Sequence, residues 1–169
     1  MPWKCATCGV EHDDLPTCFG CEAPWRELVA ESEFESRVEL TRDQCVVDSS
    51  VFFVRGHLEI PIVGHPETLA LAVWSSLSEQ SFCHMCDRWN DDDRHYDPPY
   101  FGWLSSRLPV YPDTVNLKLS VQTSPRGSVP QFTTEQTDHP LSVDQHHGIT
   151  IDRWREIAHG FMEHFKVTA

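Results

Sequence analysis

Basic residues are scarce in this 169-residue chain. Its 13 Lys and Arg stand against 26 Asp and Glu, so the formal net charge is −13. Affinity for nucleic acids comes mainly from phosphate contacts made by clustered Lys and Arg, and the sequence has no such cluster. The composition therefore argues against a nucleic-acid partner. An acidic surface suits a basic protein or a cationic ligand, and it also has the simpler effect of keeping a protein in solution.

Long apolar runs are also missing. No stretch reaches the roughly 18 apolar residues of a membrane-spanning helix, and the opening residues MPWKCATCG contain no apolar run of the signal-peptide kind. We therefore expect a cytoplasmic protein with no membrane contact. Thiols stay reduced in the cytoplasm, so pairs of cysteines there indicate metal ligands or redox thiols.

The most specific motif is CATCGVEHDDLPTCFGC at residues 5–21. Its four cysteines have the spacing C-x2-C-x9-C-x2-C: Cys5, Cys8, Cys18 and Cys21. Paired cysteines at such spacing are typical of structural zinc sites with four thiolate ligands. We predict that zinc is the cofactor, held in a closed site that leaves no open position for catalysis. A site in which His12 or Cys45 replaces one of the second pair is the alternative, and disulfides or free thiols also stay open.

A third Cys-x-x-Cys pair, Cys83 and Cys86, lies in a stretch of helical periodicity that follows Ser78. Two thiols at a helix N-terminus have a lowered pKa, which suits redox chemistry. We favour the alternative that both are small apolar residues facing the core beside Phe82 and Trp89, because no thioredoxin-like βαβ pattern surrounds them.

Apolar residues that alternate with polar ones predict strands at 44–48, 51–62, 68–77, 100–108, 115–122 and 131–136. Apolar residues at helical spacing predict one helix capped by Ser78 and another from Ile151, capped by Thr150. Residues 137–148 are expected to form an irregular loop. We expect an α+β fold, with a mostly antiparallel sheet flanked by helices. A small zinc-ribbon-like head at residues 1–28 would precede an α+β body at residues 34–169.

Several stretches together resemble a bacterial family known only as a domain of unknown function. They are CATCGVEHDDLP (5–16), FFVRGHLEIPI (52–62), VWSSLSE (73–79), PPYFGWLSSRLPVYPDTVNLK (98–118) and TDHPLSVDQHHGIT (137–150). The resemblance covers nearly the whole chain. It implies a single domain with a cysteine-rich start, in which Cys5, Cys8 and His12 match the family pattern, and it implies no activity.

Candidate binding residues lie on predicted loops and strand edges. YFGWLSSRLPVYPDT (100–114) combines aromatic and polar side chains with glycine and proline, as binding loops often do. Arg55 shares one strand face with His57 and Glu59, and Gly56 beside it is expected to mark a bulge. The candidates are Arg55, Phe101, Trp103, Tyr111, Asp113, Asp138 and His139. The simpler explanation for each is a solvated side chain or a turn-forming residue.

Ten histidines are scattered along the chain, and none forms an HExxH motif or a tight three-ligand cluster. We predict a zinc-stabilised, non-enzymatic module that binds a protein or small-molecule partner. One alternative is a metal- or thiol-dependent enzyme with a site on the body loops. Its candidate residues are Cys83, His84, Cys86, Asp138 and His139. Another alternative is an acidic immunity-type inhibitor of a basic toxin.

Overall fold

The structure is a computed structural model that describes residues 3–4, 11–12 and 15–168. Its strands are β1 (Trp3–Lys4), β2 (Glu11–His12), β3 (Cys18–Gly20), β4 (Val38–Leu40), β5 (Gln44–Val47), β6 (Val51–Pro61), β7 (Thr68–Leu77), β8 (Tyr100–Leu104), β9 (Lys118–Gln122) and β10 (Gln131–Thr134). Its helices are α1 (Phe34–Arg37), α2 (Glu79–Asp87), α3 (Pro140–His147) and α4 (Ile151–Thr168). None of the described helices is long and apolar enough to cross a membrane.

The mixture of helix and sheet is confirmed, and the sheet closes into a five-strand barrel. β6 pairs with β7, β7 with β8, β8 with β9 and β9 with β10, all antiparallel, and β10 returns to β6 in the parallel direction. Because five is odd, a ring of strands that alternate in direction needs one parallel pair to close. β3 extends the sheet from β7, while β5 and β4 extend it from β6.

Along one edge, each of the two long strands β6 and β7 pairs with two different strands, one after the other. β6 pairs with β5 through residues 51–54 and with β10 through residues 57–58. β7 pairs with β3 through residues 70–72 and with β8 through residues 75–76. Where two strands leave the same edge in different directions, they separate and a cleft opens between them. The topology therefore places clefts near the middle of β6 and β7.

Apolar side chains form two core clusters on opposite faces of the long strands. The first contains a residue from each barrel strand and so fills the barrel: Leu58, Leu71, Leu104, Val121 and Phe132. The second lies on the outer face, where residues 23–38 cover β5, β6 and β7. Its members are Ala23, Trp25, Val29, Val38, Cys45, Val47, Phe53 and Trp74. The period-two alternation of a strand produces both clusters, because successive side chains point to opposite faces.

Both predicted N-caps are confirmed. The Ser78 hydroxyl accepts a hydrogen bond from the Ser81 N–H at 3.1 Å, and the Thr150 hydroxyl accepts one from the Arg153 N–H at 3.1 Å. Each cap satisfies a backbone donor that has no partner inside its helix. The helix starts predicted from these residues are therefore correct.

α4 packs on the barrel and holds the segment that leads into β3. The Phe161 ring stacks on Phe19 with centroids 4.8 Å apart. The Trp154 indole N–H donates to the Pro16 carbonyl at 3.3 Å. Residues 16–19 are thereby fixed between α4 and β7.

The expected irregular loop at residues 137–148 is wrong, because α3 occupies most of it. Pro140 stands at the first helical position, where a missing N–H costs nothing. The His139 ring Nδ1 accepts from the Leu141 N–H at 3.1 Å and so caps the helix. Histidine is not among the usual capping residues, and α3 has too few apolar residues to show a helical period. The signals for α3 in the sequence are therefore only Pro140 at its start and Gly148 just after its end.

The bulge expected at Gly56 is also wrong, since Gly56 pairs with Val73 in an uninterrupted register. A Cβ atom at this position would lie 2.5 Å from the Phe132 ring and 2.7 Å from the Pro130 carbonyl oxygen. Glycine is required here because β10 approaches the backbone of β6 closely.

Part of the predicted head packs with the body. β3 is hydrogen-bonded to β7, and Trp25 and Val29 belong to the second core cluster. Cys5 and Cys8 lie outside the described residues. The zinc-ribbon-like head and the division into 1–28 and 34–169 therefore stay predictions.

Candidate functional site

A cavity of about 670 Å³ lies over Arg55 and Trp74, which are paired across β6 and β7. It adjoins the divided edge of β6. There the Arg55 N–H donates to the Asp43 carbonyl at 2.8 Å, and the His57 N–H donates to the Pro130 carbonyl at 2.9 Å. The cavity thus lies close to the point where this edge passes from β5 to β10.

The floor of the cavity is aromatic. Trp74 is only 3% exposed, and its indole N–H donates to the Cys21 carbonyl at 3.1 Å. Trp25 is buried beside it, and the Phe34 ring packs on Trp25 with centroids 4.6 Å apart. Leu40 of β4 completes the apolar lining. These rings are held by core packing, so the floor is formed before any ligand arrives.

One wall of the cavity carries two arginines that share a carboxylate. Arg55 donates through Nη2 to Asp43 Oδ1 at 2.8 Å, and Arg42 donates through Nη2 to Asp43 Oδ2 at 3.1 Å. Burial by itself raises the pKa of the Asp43 carboxyl, but the hydrogen bonds from both arginines outweigh it and hold that pKa below its ordinary value. Asp43 is therefore ionised at neutral pH and orients both side chains.

The opposite wall carries a second charged group. Arg26 lies over the Trp25 ring, 4.3 Å from its centroid. It forms ion pairs with Glu22 at 3.6 Å and Glu31 at 3.5 Å. All three side chains are at least half exposed, so these pairs contribute little to stability.

A cavity of this size, with a preformed apolar floor and a few charged groups, is typical of a small-molecule site. Within the described residues, no group of three or more His, Cys, Asp or Glu side chains is placed to hold a metal ion. The described residues therefore offer a ligand an aromatic surface for stacking and guanidinium groups that donate hydrogen bonds.

A family model described as an uncharacterized protein conserved in bacteria (DUF2199) matches residues 4–149. The chain belongs to this family. The match includes the whole barrel and the cavity, and it ends just before α4 begins. No curated protein and no solved structure matches the chain.

A second cavity, of about 540 Å³, lies at the divided edge of β7. There the Cys21 N–H donates to the Ala72 carbonyl at 2.9 Å, and the Ser105 N–H donates to the Trp74 carbonyl at 2.8 Å. Cys21 lines both cavities. Burial raises the pKa of its thiol to about 11, partly offset by a hydrogen bond with Ser106.

The predicted zinc ligands are only partly described. Cys18 is exposed on β3, whereas its neighbour Phe19 is buried on the other face. Cys21 packs against the first core cluster, on the side of Phe19. Because Cys5 and Cys8 lie outside the described residues, the four-cysteine site stays a prediction.

The proposed substitutes were Cys45 and His12. Cys45 is fully buried in the second core cluster, and burial raises the pKa of its thiol to about 11. His12 lies in β2, and its side chain is outside the described residues.

The structure gives Tyr111 a packing role. Tyr111 is buried, and its hydroxyl donates to Asp144 Oδ2 at 2.7 Å. Arg153 of α4 donates to the same oxygen at 3.3 Å. Burial and the Asp144 carboxylate both raise the pKa of the Tyr111 hydroxyl. The network joins the loop after β8 to α3 and α4.

Asp113 and His139 lie together beside this network. The His139 Nε2 atom is hydrogen-bonded to the Asp113 carbonyl oxygen at 3.0 Å, while its Nδ1 caps α3. The Asp113 carboxylate accepts from Arg107 at 3.2 Å. Both ring nitrogens of His139 are thus engaged within the fold. Asp138 is exposed.

Phe101 and Trp103 lie on the outer face of β8 and do not line the cavity over Trp74. Their rings meet edge to face at 5.0 Å, and Trp103 is 40% exposed. Phe101 lines a shallow depression of about 340 Å³ together with Lys118 of β9. Among the predicted binding residues, Arg55 alone lines the 670 Å³ cavity.

The preferred explanation for Cys83 and Cys86 is wrong in part. Cys83 is exposed on α2 and does not face the core. Cys86 is half-buried, and its sulfur accepts from the Gln44 side-chain amide at 3.4 Å. Burial raises the pKa of Cys86. Both cysteines lie beyond the first turn of α2, so the thiol-activating position of a helix N-terminus is not used.

Sequence reasoning missed Trp25, Arg42, Asp43 and Trp74. One signal was available for Trp74. The apolar residues of β7 that fill the barrel fall on odd positions, and Trp74 is a large aromatic on an even position. An aromatic residue on the outer face of a strand suits a second layer, which here covers Trp74 but leaves Trp103 40% exposed. Arg42 and Asp43 come from the bend before β5 and Trp25 from a short 3-10 helix, and neither segment is long enough to show a period.

Proposed function

We propose that this chain is a non-enzymatic binding module whose ligand occupies the cavity over Arg55 and Trp74. The observation that supports it best is the combination in one cavity of about 670 Å³ of a buried aromatic floor and two arginines oriented by Asp43. Ligand sites commonly combine a concave apolar surface with a few fixed polar groups. The cavity lies within the matched part of the chain, residues 4–149.

Zinc belongs to the same proposal, as a structural ion held by the cysteine-rich start in a cytoplasmic protein. β3 contributes only three residues to the sheet, and the segment after it covers the second core cluster. A closed site at Cys5, Cys8, Cys18 and Cys21 would stabilise that cover without taking part in chemistry. No specific observation in the described residues favours the enzyme or the toxin-inhibitor alternative.

A blocked cavity tests the proposal. Leu40 lines the cavity, is 43% exposed and lies in a strand, so Leu40→Trp fills the space with little expected loss of stability. Val143 on α3 is 40% exposed and does not line this cavity, so Val143→Trp is the matched control. Circular dichroism and thermal melting verify that both variants fold.

The probes are three naphthalene fragments of one size: 2-naphthoate, 2-naphthamide and 2-naphthylmethylammonium. Saturation-transfer NMR should detect binding of at least one fragment to the wild-type chain and to Val143→Trp, and loss of that binding in Leu40→Trp. Absence of binding to the wild-type chain, or equal binding to Leu40→Trp, would overturn the proposal.

A further inference from the structure

We infer that the ligand of this cavity is an organic anion, with a carboxylate or phosphate group joined to a flat apolar body. This inference rests on the proposed function and adds the chemical class of the ligand. The inference is based on the two arginines that share the Asp43 carboxylate and on the aromatic floor of the same cavity.

The arginine wall has more positive than negative charge. Arg42 and Arg55 both bond to the one carboxylate of Asp43, so the three groups together carry a net charge of about +1. In a chain with 13 basic and 26 acidic residues, two arginines that share a single carboxylate form an unusual local excess of positive charge. Such an excess attracts an anion.

Both guanidinium groups also have donors left over. Arg55 uses Nε and Nη2 on Asp43 and on the Arg42 carbonyl, and Arg42 uses Nε and Nη2 on Asp43. Among the described residues, Nη1 of neither arginine has a hydrogen-bond partner. Guanidinium groups bind carboxylates and phosphates through strong charge-assisted hydrogen bonds.

The remaining charged residues of the lining sum to −2, so the positive excess is confined to the Arg42 and Arg55 wall. Glu22 and Glu31 are paired with Arg26, which lies over Trp25 on the other wall. Glu35 is the further acidic residue of the lining. An anion would therefore bind at the Arg42 and Arg55 wall, with its apolar body on the aromatic floor. A cationic ligand would instead be drawn to the glutamates, and the experiment separates the two.

Calorimetric titration of the full chain compares three probes of equal ring size: 2-naphthoate, 2-naphthamide and 2-naphthylmethylammonium. We expect naphthoate to bind about tenfold tighter than naphthamide, since a charge-assisted hydrogen bond contributes roughly 1.5–3 kcal/mol. The ammonium probe should bind most weakly. The advantage of naphthoate should decrease as salt is raised, because the contact is partly exposed.

Arg42→Gln removes one of the two guanidinium groups. The Arg42 side chain is 76% exposed, so this variant should fold, as circular dichroism will verify. We expect it to lose most of the difference between naphthoate and naphthamide. Arg126→Gln is the matched control, because Arg126 is 60% exposed and pairs with Asp92 away from the cavity.

The outcomes distinguish this inference from the proposed function. If naphthamide or the ammonium probe binds as tightly as naphthoate, or if Arg42→Gln keeps the preference, the ligand is not an anion held by these arginines. The cavity would still be a binding site provided that Leu40→Trp abolishes the binding. If no probe binds, or if Leu40→Trp changes nothing, the proposed function fails and the inference fails with it.

Discussion

Two outer faces of one barrel differ in what covers them. Trp74 on β7 is 3% exposed, whereas Trp103 on β8 is 40% exposed. The two residues are close, since Trp103 pairs with Ser76, two positions after Trp74. Both strands present a tryptophan outward, so the strands themselves do not cause the difference. The difference in exposure arises because residues 23–38 pack over β7, whereas none of the described residues packs over Trp103 to the same extent.

The difference shows why an outward aromatic residue is weak evidence for a binding site. At Trp103 the ring lies on an open surface beside Lys118, with the Lys118 Nζ atom 6.0 Å from the ring centroid. At Trp74 the same kind of ring becomes the floor of a cavity, because Trp25 and Phe34 from the covering segment enclose it. A binding site therefore needs the second layer, and anything that loosens that layer should affect only the covered face.

The largest expected effect is that of zinc removal. We expect one zinc ion per chain by elemental analysis, and a loss of more than about 4 kcal/mol in the free energy of unfolding when a chelator removes it. The physical reason is that metal binding to the cysteine-rich start is coupled to folding of the segment that covers Trp74.

Two double variants separate the cysteine pairs. Cys5→Ser with Cys8→Ser should abolish zinc binding, whereas Cys83→Ser with Cys86→Ser should keep it. If the wild-type chain contains no zinc, or if chelation leaves its unfolding transition unchanged, the cover is held by packing alone.

The next largest effect is expected from Trp25→Ala. Trp25 is buried between Phe34 and the outer face of β7, and removal of a buried tryptophan side chain typically costs about 3–5 kcal/mol. Urea unfolding followed by circular dichroism measures the loss. A cost below about 1 kcal/mol would mean that the cover contributes little to stability and that the two faces are energetically alike.

Strands β5 to β10 were predictable because each carries its own signal, whereas β1 to β4 were not predicted. β6 and β7 place large apolar residues at nearly every second position on one face, and α4 repeats its apolar residues at helical spacing. Barrel closure was not predictable in this way. Closure requires β6 and β7 each to pair with two different strands along one edge. The sequence of a single strand does not show which strands it will pair with.

The site was harder to predict than the fold. Arg55 was identified because it lies on a strand. Its partners Arg42 and Asp43 lie in the turn before β5, where no periodicity predicts the direction of the side chains. Tyr111 and His139 look like binding residues in sequence, since they lie among prolines and polar residues. In the structure their polar atoms bond to Asp144, Leu141 and Asp113, which joins loops to α3.

A smaller, pH-dependent effect is expected from Asp43→Asn. The pKa of Asp43 is lowered in the folded chain from an ordinary value of 3.8, so its ionised form stabilises the fold above about pH 4. This stabilisation is lost as the pH falls through the folded-state pKa. Hydrogen bonds to charged groups contribute roughly 1.5–3 kcal/mol in total, and partial exposure reduces that to about 1–2 kcal/mol here.

Unfolding measured from pH 7 down to pH 2.5 checks this effect. The free energy of unfolding should be larger for the wild-type chain than for Asp43→Asn at neutral pH, and this difference should decrease in the acidic range. Glu135→Gln on the open face is the control, with an expected change within about 0.5 kcal/mol at neutral pH. A gap between wild type and Asp43→Asn that stays constant with pH would show that the ionised carboxylate does not hold the arginine wall.

The smallest effect is expected from Trp103→Ala, within about 0.5–1 kcal/mol in urea unfolding, because Trp103 is 40% exposed and its ring meets Phe101 edge to face and Lys118 at longer range. This variant is the direct counterpart of Trp25→Ala, since both remove an outer-face tryptophan. A cost of about 3 kcal/mol or more would mean that the β8 face is covered in solution, and a dependence of unfolding on protein concentration would then identify a second copy of the chain as the cover. With a small cost and no such dependence, the exposure of Trp103 is a property of the isolated chain, and enclosure by residues 23–38 is what separates a binding cavity from an open aromatic surface.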